Sequence, residues 1–475
     1  MKPLLSLIPV FSMLALAAPL GWRNDGTGLY PKAVLPASWG PSEKVVWATP
    51  LPDWGNSCPV VLSDRILLCA EPNRLLCVDK QGKILWQCEN TVDATLTEAE
   101  RSKWPQEEAA LKEAEKGLAP LRAEFEAARA ALKEAETEAK QNPQDGDLKK
   151  AVGGARRKVG EAQRRLDEAL AKTEAGFPLA GRMRPAKTHP ANGFSSDTPL
   201  FDAGKVYACF GNGVVSAYTT EGKRLWTRFV EKPTHVWGQC ASPRLIGGVL
   251  VIQYVKAWGL DPATGEVKWN APCPKAWGTP EPITVGRLTA FVTDQGQIRS
   301  SVDGALLAET AMKLEFGCPL VSGELVYGAS TGVAWAMKVS EKDGKLAATE
   351  LWKAEVGDKK ERFYASPLLW EGVLYLVNQK SQLFALEAES GKKLFEQALG
   401  LGGTAYPSPI LCGDLIVASS DTGKSVVFKA GREYKEISRP VLEPFRATPV
   451  CDGKRMYIRT LAKGPEKPGL YCLGE

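Results

Sequence analysis

The sequence predicts an all-β chain: an eight-bladed β-propeller closed by its N- and C-terminal strands, with one inserted α-helical coiled-coil hairpin. Three observations predict it. A strand motif recurs eight times with a period near forty residues, the strand missing from the last copy stands at the other end of the chain, and a stretch of helix-forming composition separates the first two copies.

The repeat unit is a small residue and a proline, two or three apolar residues, a glycine turn and an alternating strand. A second apolar strand follows, then a Gly-Lys turn and an aromatic. The sixth copy shows it whole, from Ala365-Ser366-Pro367-Leu368-Leu369 through Leu383-Phe384-Ala385-Leu386 to Gly391-Lys392-Lys393-Leu394-Phe395. The first copy ends on Gly82-Lys83-Ile84-Leu85-Trp86, and the second on Gly222-Lys223-Arg224-Leu225-Trp226. Prolines 59, 199, 243, 282, 319, 367, 409 and 449 anchor the eight copies, and from Pro199 onward they are spaced by 44, 39, 37, 48, 42 and 40 residues. Period-two alternation with glycine turns excludes a solenoid of helix pairs and describes four short strands per unit.

The last copy supplies three strands, ending at Leu470-Tyr471-Cys472-Leu473. The missing fourth strand carries a Lys-x-x-Trp signature, and Lys44-Val45-Val46-Trp47 stands near the N-terminus. Pairing of Val46 with the strand at Tyr471 would close the sheet and remove its free edges.

Pro59 and Pro199 lie 140 residues apart, and the excess is rich in Ala, Glu, Lys and Arg. Leu121, Phe125, Ala128 and Leu132 form one helical seam, and Val159, Ala162, Leu166 and Leu170 a second. Asn142-Pro143-Gln144-Asp145-Gly146 between them is a turn signal. Pro120 is expected to interrupt the first helix. The reading is an antiparallel hairpin over residues 94–176, either a projecting contact arm or a solvated ornament, beside the mouth of the propeller. Residues 18–93 then hold the closing strand and blade 1, and residues 177–475 blades 2–8.

The 475-residue chain has globular composition, with 44% hydrophobic and 24% charged residues, and its 60 basic and 55 acidic residues nearly cancel. No basic run is interleaved with aromatics, so no nucleic-acid partner is expected. Met1-Lys2, the apolar stretch Leu4–Leu16 and Ala15-Leu16-Ala17 read as a signal peptide over residues 1–17. Export to the periplasm or outside the cell is therefore expected, with no transmembrane span in the mature chain. The eleven cysteines include no C-x-x-C pair, which excludes zinc-ribbon and thioredoxin-like motifs. An exported chain can oxidise them, and buried thiols acting as small hydrophobes are the plainer reading for most.

The Gly-Lys-x-x-Trp turn after a leucine-rich strand resembles the quinoprotein-like, or PQQ-like, repeat. That repeat builds the propellers of quinoprotein alcohol dehydrogenases and of the lipoprotein of the outer-membrane β-barrel assembly machinery. The resemblance covers nearly the whole mature chain outside the insertion. It implies the fold and leaves function open, because the same propeller hosts enzymes and scaffolds. A quinone enzyme of this family is expected to need a polar circle of residues, a calcium site and usually an adjacent cysteine pair. No two cysteines here are adjacent.

With two histidines, His189 and His235, His-based metal and acid–base schemes are limited. No P-loop and no G-x-S-x-G is present, and no catalytic residue, cofactor site or metal site is assigned. An aromatic does stand three to six residues before each anchoring proline: Trp54, Phe194, Trp237, Trp277, Phe316, Tyr364, Tyr406 and Phe445. Together with the two histidines these are the candidate funnel-mouth residues. They either line a funnel for a peptide, sugar or flat ligand or pack adjacent blades, as propellers require. The expected function is a non-catalytic binding scaffold in the bacterial envelope, free of cofactor, with a protein or cell-envelope component as partner. Two alternatives stand beside it: a PQQ- and calcium-dependent oxidoreductase and a polysaccharide-binding or polysaccharide-active propeller.

Overall fold

A computed structural model describes residues 18–36, 38–274, 277–461 and 467–475; the expected signal peptide lies outside them. The chain divides into two compact units. One runs from the N-terminal side to Thr91 and resumes at Ala186–Glu475, and the other is Val92–Pro185.

The first unit is β-propeller-like, with eight sheets. Numbered in chain order by their innermost strands, they begin at Val60–Val61, Leu200–Asp202, Arg244–Ile246, Glu281–Val285, Leu320–Ser322, Leu368–Trp370, Ile410–Cys412 and Val450–Asp452. Each is an antiparallel meander of four strands, and sheet 7 gains a fifth, Leu29–Tyr30, parallel to Ile410–Cys412. The fourth strand of sheet 8 is Val45–Pro50, paired antiparallel to Gly469–Gly474. The expected closure is therefore present, with one refinement: Ala48 stands opposite Tyr471, and Val46 falls in a bulge between Val45 and Trp47.

That bulge recurs between the third and fourth strands of every sheet. It increases strand twist at the perimeter and turns the residue after it toward the next sheet. Five of those residues are tryptophans. Trp47, Trp86, Trp226, Trp269 and Trp352 donate their indole N–H to the carbonyls of Lys80, Thr220, Pro262, Ser301 and Ala388 in the following sheet, at 2.9–3.2 Å. A turn glycine of the facing sheet lies against each indole: Gly82, Gly222, Gly265, Gly304 and Gly391. At Gly222, with φ +85°, a Cβ would stand 2.7 Å from the Trp86 ring, so both the backbone conformation and the close approach require glycine.

A second linkage runs around the axis. The residue before each anchoring proline accepts a hydrogen bond from its counterpart in the preceding sheet. Cys58 N–H donates to Thr198 Oγ1, Thr198 to Ser242 Oγ and Ser242 to Thr279 Oγ1, each at 3.0 Å. Thr279 donates to Cys318 Sγ, Cys318 to Ser366 Oγ, Ser366 to Ser408 Oγ and Ser408 to Thr448 Oγ1, at 2.9–3.1 Å. The Thr448 N–H returns to the Cys58 sulfur and completes the circle. The circle corrects one anchor. The fourth copy is held by Thr279-Pro280, and Pro282 lies inside the strand Glu281–Val285. Proline suits these sites because an innermost strand has no inward neighbour to receive its N–H.

The segment after Ala18 crosses this axis. Leu20 and Phe201 of sheet 2 exchange backbone hydrogen bonds at 2.9 and 2.7 Å. The fully buried Arg23 donates to the carbonyls of Pro367 and Pro409 in sheets 6 and 7, at 2.8 and 2.9 Å. Gly26 lies against the buried ion pair of Arg244 and Glu281, whose atoms stand 2.5 Å apart in sheets 3 and 4. A disulfide, Cys412–Cys451, joins the innermost strands of sheets 7 and 8. The other nine cysteines are free, six of them buried.

The second unit holds four helices: α1 (Glu98–Lys116), α2 (Ala119–Gln141), α3 (Gly146–Ala175) and α4 (Pro178–Met183). Two were expected. Thr97 and Glu100 form a capping box on α1, and the Asp145 side chain caps α3. Pro120 stands in the first turn of α2, where a missing N–H costs nothing, so it separates α1 from α2. The pairs Arg156–Glu136 and Arg165–Glu124 set α2 and α3 antiparallel. The first apolar seam is half-buried, the second has Ala162 and Leu166 buried, and α1 adds the buried Leu111.

Candidate functional site: the mouth of the propeller

The circle of hydrogen bonds defines equivalent positions, and the position two residues earlier carries the candidate site. It is occupied by Asn56, Ser196, Cys240, Trp277, Phe316, Tyr364, Tyr406 and Arg446. Sheets 4 to 7 thus contribute four consecutive aromatics, and the remaining sheets contribute polar or small residues.

The aromatic half is continuous. Ring centroids lie 5.5 Å apart for Trp277–Phe316, 4.8 Å for Phe316–Tyr364 and 4.9 Å for Tyr364–Tyr406, in stacked and tilted arrangements. The Arg446 guanidinium lies 5.1 Å from the Tyr406 ring, and Arg362 lies 5.5 Å from Phe316. His235 meets Trp277 edge-on at 5.0 Å. All four aromatic rings are half-buried, so each packs on its neighbours and still presents surface.

The polar half is covered by the chain itself. Asn56 donates to Ser196 Oγ and to the carbonyls of Ala191 and Asn192, at 3.0–3.3 Å. Arg446 donates to the Ala191 carbonyl at 2.8 Å. His189 stacks on Trp237 at 4.0 Å, and Trp237 remains 50% exposed.

The candidate residues therefore separate. Trp277, Phe316, Tyr364 and Tyr406 come together as one arc. Trp237, His189 and His235 gather at its rim. Trp54, Phe194 and Phe445 do not join it. Phe445 is fully buried in the core beside Trp39. Phe194 packs over Gly211 and gives its backbone N–H to Glu71, while Trp54 receives the Glu71 N–H on its carbonyl. The four arc residues all stand three positions before their anchoring proline once Pro280 replaces Pro282; the other four stand four to six before it. Arg446, Asn56 and Arg362 escaped the sequence reading. Aligning the copies on the residue before each proline would have found the first two.

Acids beneath the mouth are buried. Asp294 accepts from the backbone N–H of Trp277 and of Gly278, both at 3.0 Å, and so positions the first ring of the arc. Burial outweighs these two bonds and pushes its carboxyl up to about 7. Glu71 accepts three hydrogen bonds from Phe194 and Ser195, and burial still raises its pKa. Asp197 is fully buried with neither carboxylate oxygen hydrogen-bonded, which drives its pKa well above the carboxylate range. Burial thus shifts all three carboxyls toward the neutral form. Cavities of about 460 and 260 Å³ lie elsewhere, beside the closing strand, where Pro50 and Lys467 line both.

Among the described residues no three His, Cys, Asp or Glu side chains gather so as to hold a metal ion. Near the axis Arg23 donates to the carbonyls of Pro367 and Pro409, and the buried Arg244–Glu281 pair joins sheets 3 and 4.

Repeated meanders docked by tryptophan, a hydrogen-bonded circle about the axis and a mouth open on its aromatic half define a β-propeller of PQQ-like repeats. Residues 186–347 and 284–459 match the family described as outer membrane protein assembly factor BamB, and together they cover more than half of the chain. The chain belongs to that family. Its fold is similar to that of BamB from Moraxella catarrhalis, with a TM-score of 0.51 and 11% identity over 91% of this chain and 97% of that one. It is equally similar to the quinohemoprotein alcohol dehydrogenase ADHIIG from Pseudomonas putida HK5, with a TM-score of 0.52 and 9% identity over 90% and 76% of the two chains. A quinoprotein alcohol dehydrogenase, PedH of Pseudomonas putida, is 30% identical over a stretch that spans 18% of each protein. Among the described residues no helix is long and apolar enough to cross a membrane.

Proposed function

We propose that this chain is a non-catalytic binding scaffold, exported to the bacterial cell envelope, that holds a partner protein at the mouth of its propeller. In this reading the eight sheets are the eight blades of one closed propeller. α2 and α3 form a coiled-coil hairpin that serves as a second contact arm.

The observation that carries the reading is the arc Trp277–Phe316–Tyr364–Tyr406 with Arg446 at its end. Half-exposed aromatics beside arginine are the residue types that dominate binding energy at protein interfaces. Family membership supports a partner among envelope proteins, and the disulfide Cys412–Cys451 supports an oxidising compartment. Likeness to the dehydrogenases supports the fold, and their chemistry is not carried over.

The test has two arms. Capture of one envelope protein by the purified chain should weaken when Tyr364 and Tyr406 are replaced by alanine, and again when residues 94–176 are removed. Added quinone and calcium should yield neither a bound chromophore nor dye reduction. Dye reduction would establish the oxidoreductase reading in place of this one.

A further inference from the structure

The polar half of the mouth is already occupied by a peptide. Residues 188–193 directly follow the link from the helical unit and form a tight turn. His189 O accepts the N–H of Asn192 at 2.8 Å and of Gly193 at 3.0 Å, and Pro190 occupies the second position, which its fixed φ favours. The turn is held as a bound ligand is held. The His189 ring stacks on Trp237. The Ala191 carbonyl accepts from Asn56 and Arg446, and the Asn192 carbonyl from Asn56 and Ser196. The Asn192 amide donates to the carbonyls of Trp237 and Gln239, at 2.9 and 3.0 Å. These contacts come from sheets 8, 1, 2 and 3, and the aromatic arc lies on sheets 4 to 7.

We infer that the mouth is a receptor for a β-turn that carries a ring at its first position and offers successive carbonyls, and that residues 188–193 are its built-in occupant. The partner is a protein loop of the same chemistry: an aromatic or imidazole ring, a turn, and two carbonyls directed at Asn56 and Arg446. Such a loop displaces the resident turn, and its flanking side chains lie on the open aromatic arc. This rests on the scaffold reading and names what the scaffold recognises. Displacement costs little, because the turn exchanges one set of hydrogen bonds for water while the loop regains the same set.

The probe is a fluorescein-labelled peptide of the chain's own residues 186–194, titrated into the full chain and followed by anisotropy. Loosening the resident turn with His189→Ala and Asn192→Ala should tighten peptide binding by about tenfold or more, because the intramolecular competitor is removed. Adding Trp237→Ala should abolish that gain. Equal binding to the wild type and the double variant, persistence of the gain with Trp237→Ala, or no binding to a folded double variant would each overturn the inference. A second readout needs no variant. Excess unlabelled peptide should accelerate amide hydrogen exchange at Asn192 and Gly193 of the wild-type chain, and unchanged exchange at saturating peptide counts against displacement. Envelope capture that survives where the peptide fails leaves the scaffold reading intact and removes this one. Peptide binding without capture does the reverse.

Discussion

The indole N–H of Trp47 donates to the carbonyl of Lys80 at 2.9 Å, which ties the strand that completes sheet 8 to sheet 1. The same contact links sheets internal to the chain, but here it joins the N-terminal closing strand to the first full repeat. Trp47→Ala removes the dock and its packing on Tyr457. It should destabilise the propeller unit by about 3 kcal/mol, and Trp47→Phe by about 1 kcal/mol, measured by denaturant unfolding. A Trp47→Ala variant as stable as the wild type would mean that closure does not depend on this contact.

The Cys412–Cys451 bond clips sheet 7 to the same composite sheet and encloses a span of 39 residues. Its loss, by reduction or as Cys412→Ser with Cys451→Ser, should cost about 2–4 kcal/mol. Alkylation of the unfolded, unreduced protein should label nine cysteines, and after reduction eleven.

Asp294 makes stability depend on pH. Its folded pKa of about 7 exceeds the unfolded value of 3.8, so the native state binds the proton more tightly. The stabilising contribution is complete below pH 4 and is lost as pH rises toward and through 7. Burial raises Glu71 and Asp197 as well, and they act in the same sense. Asp294→Asn keeps an oxygen for the Trp277 and Gly278 amides and cannot ionise. Its melting temperature should exceed that of the wild type at pH 8, and the difference should shrink as pH falls and close below pH 4.

Aromatic substitutions should divide by position. Phe445 is fully buried, and Phe445→Ala should cost about 3–5 kcal/mol. Trp237 is half exposed, and Trp237→Ala should stay within about 1 kcal/mol of the wild type while weakening partner capture. Equal destabilisation by both would assign the rim to packing.

Removal of Val92–Pro185, with Thr91 joined to Ala186 by a short flexible linker, should leave the β-sheet circular dichroism and the unfolding midpoint of the propeller unit nearly unchanged. The two units are separately compact, each with its own buried residues. A large loss of stability would show that the helices support the sheets.

Much of the fold was legible because its devices are local. Proline before the innermost strand and Gly-Lys-x-x-Trp at the outer turn recur as sequence, so the repeats and the closing strand can be read directly. The signature fades where Ala308 and Ser438 take the tryptophan position in sheets 4 and 7. The fourth anchor was misplaced because Thr279-Pro280-Glu281-Pro282 offers two prolines, and hydrogen bonding to the neighbouring sheets alone distinguishes them. The mouth was half legible. Its arc repeats at one offset, whereas its polar half is made by Asn56, Arg446 and a turn between them in space and far from both in sequence. The crossing of the axis by Arg23 left no trace in the pattern, since residues 18–30 belong to no repeat.

The strand Val45–Pro50 has no partner until Gly469–Gly474 exists. During synthesis the ribosome must therefore reach Gly474 before the last sheet can be assembled. Contacts of such sequence separation form late and slowly. The strand that seals the molecule is thus made early and paired last.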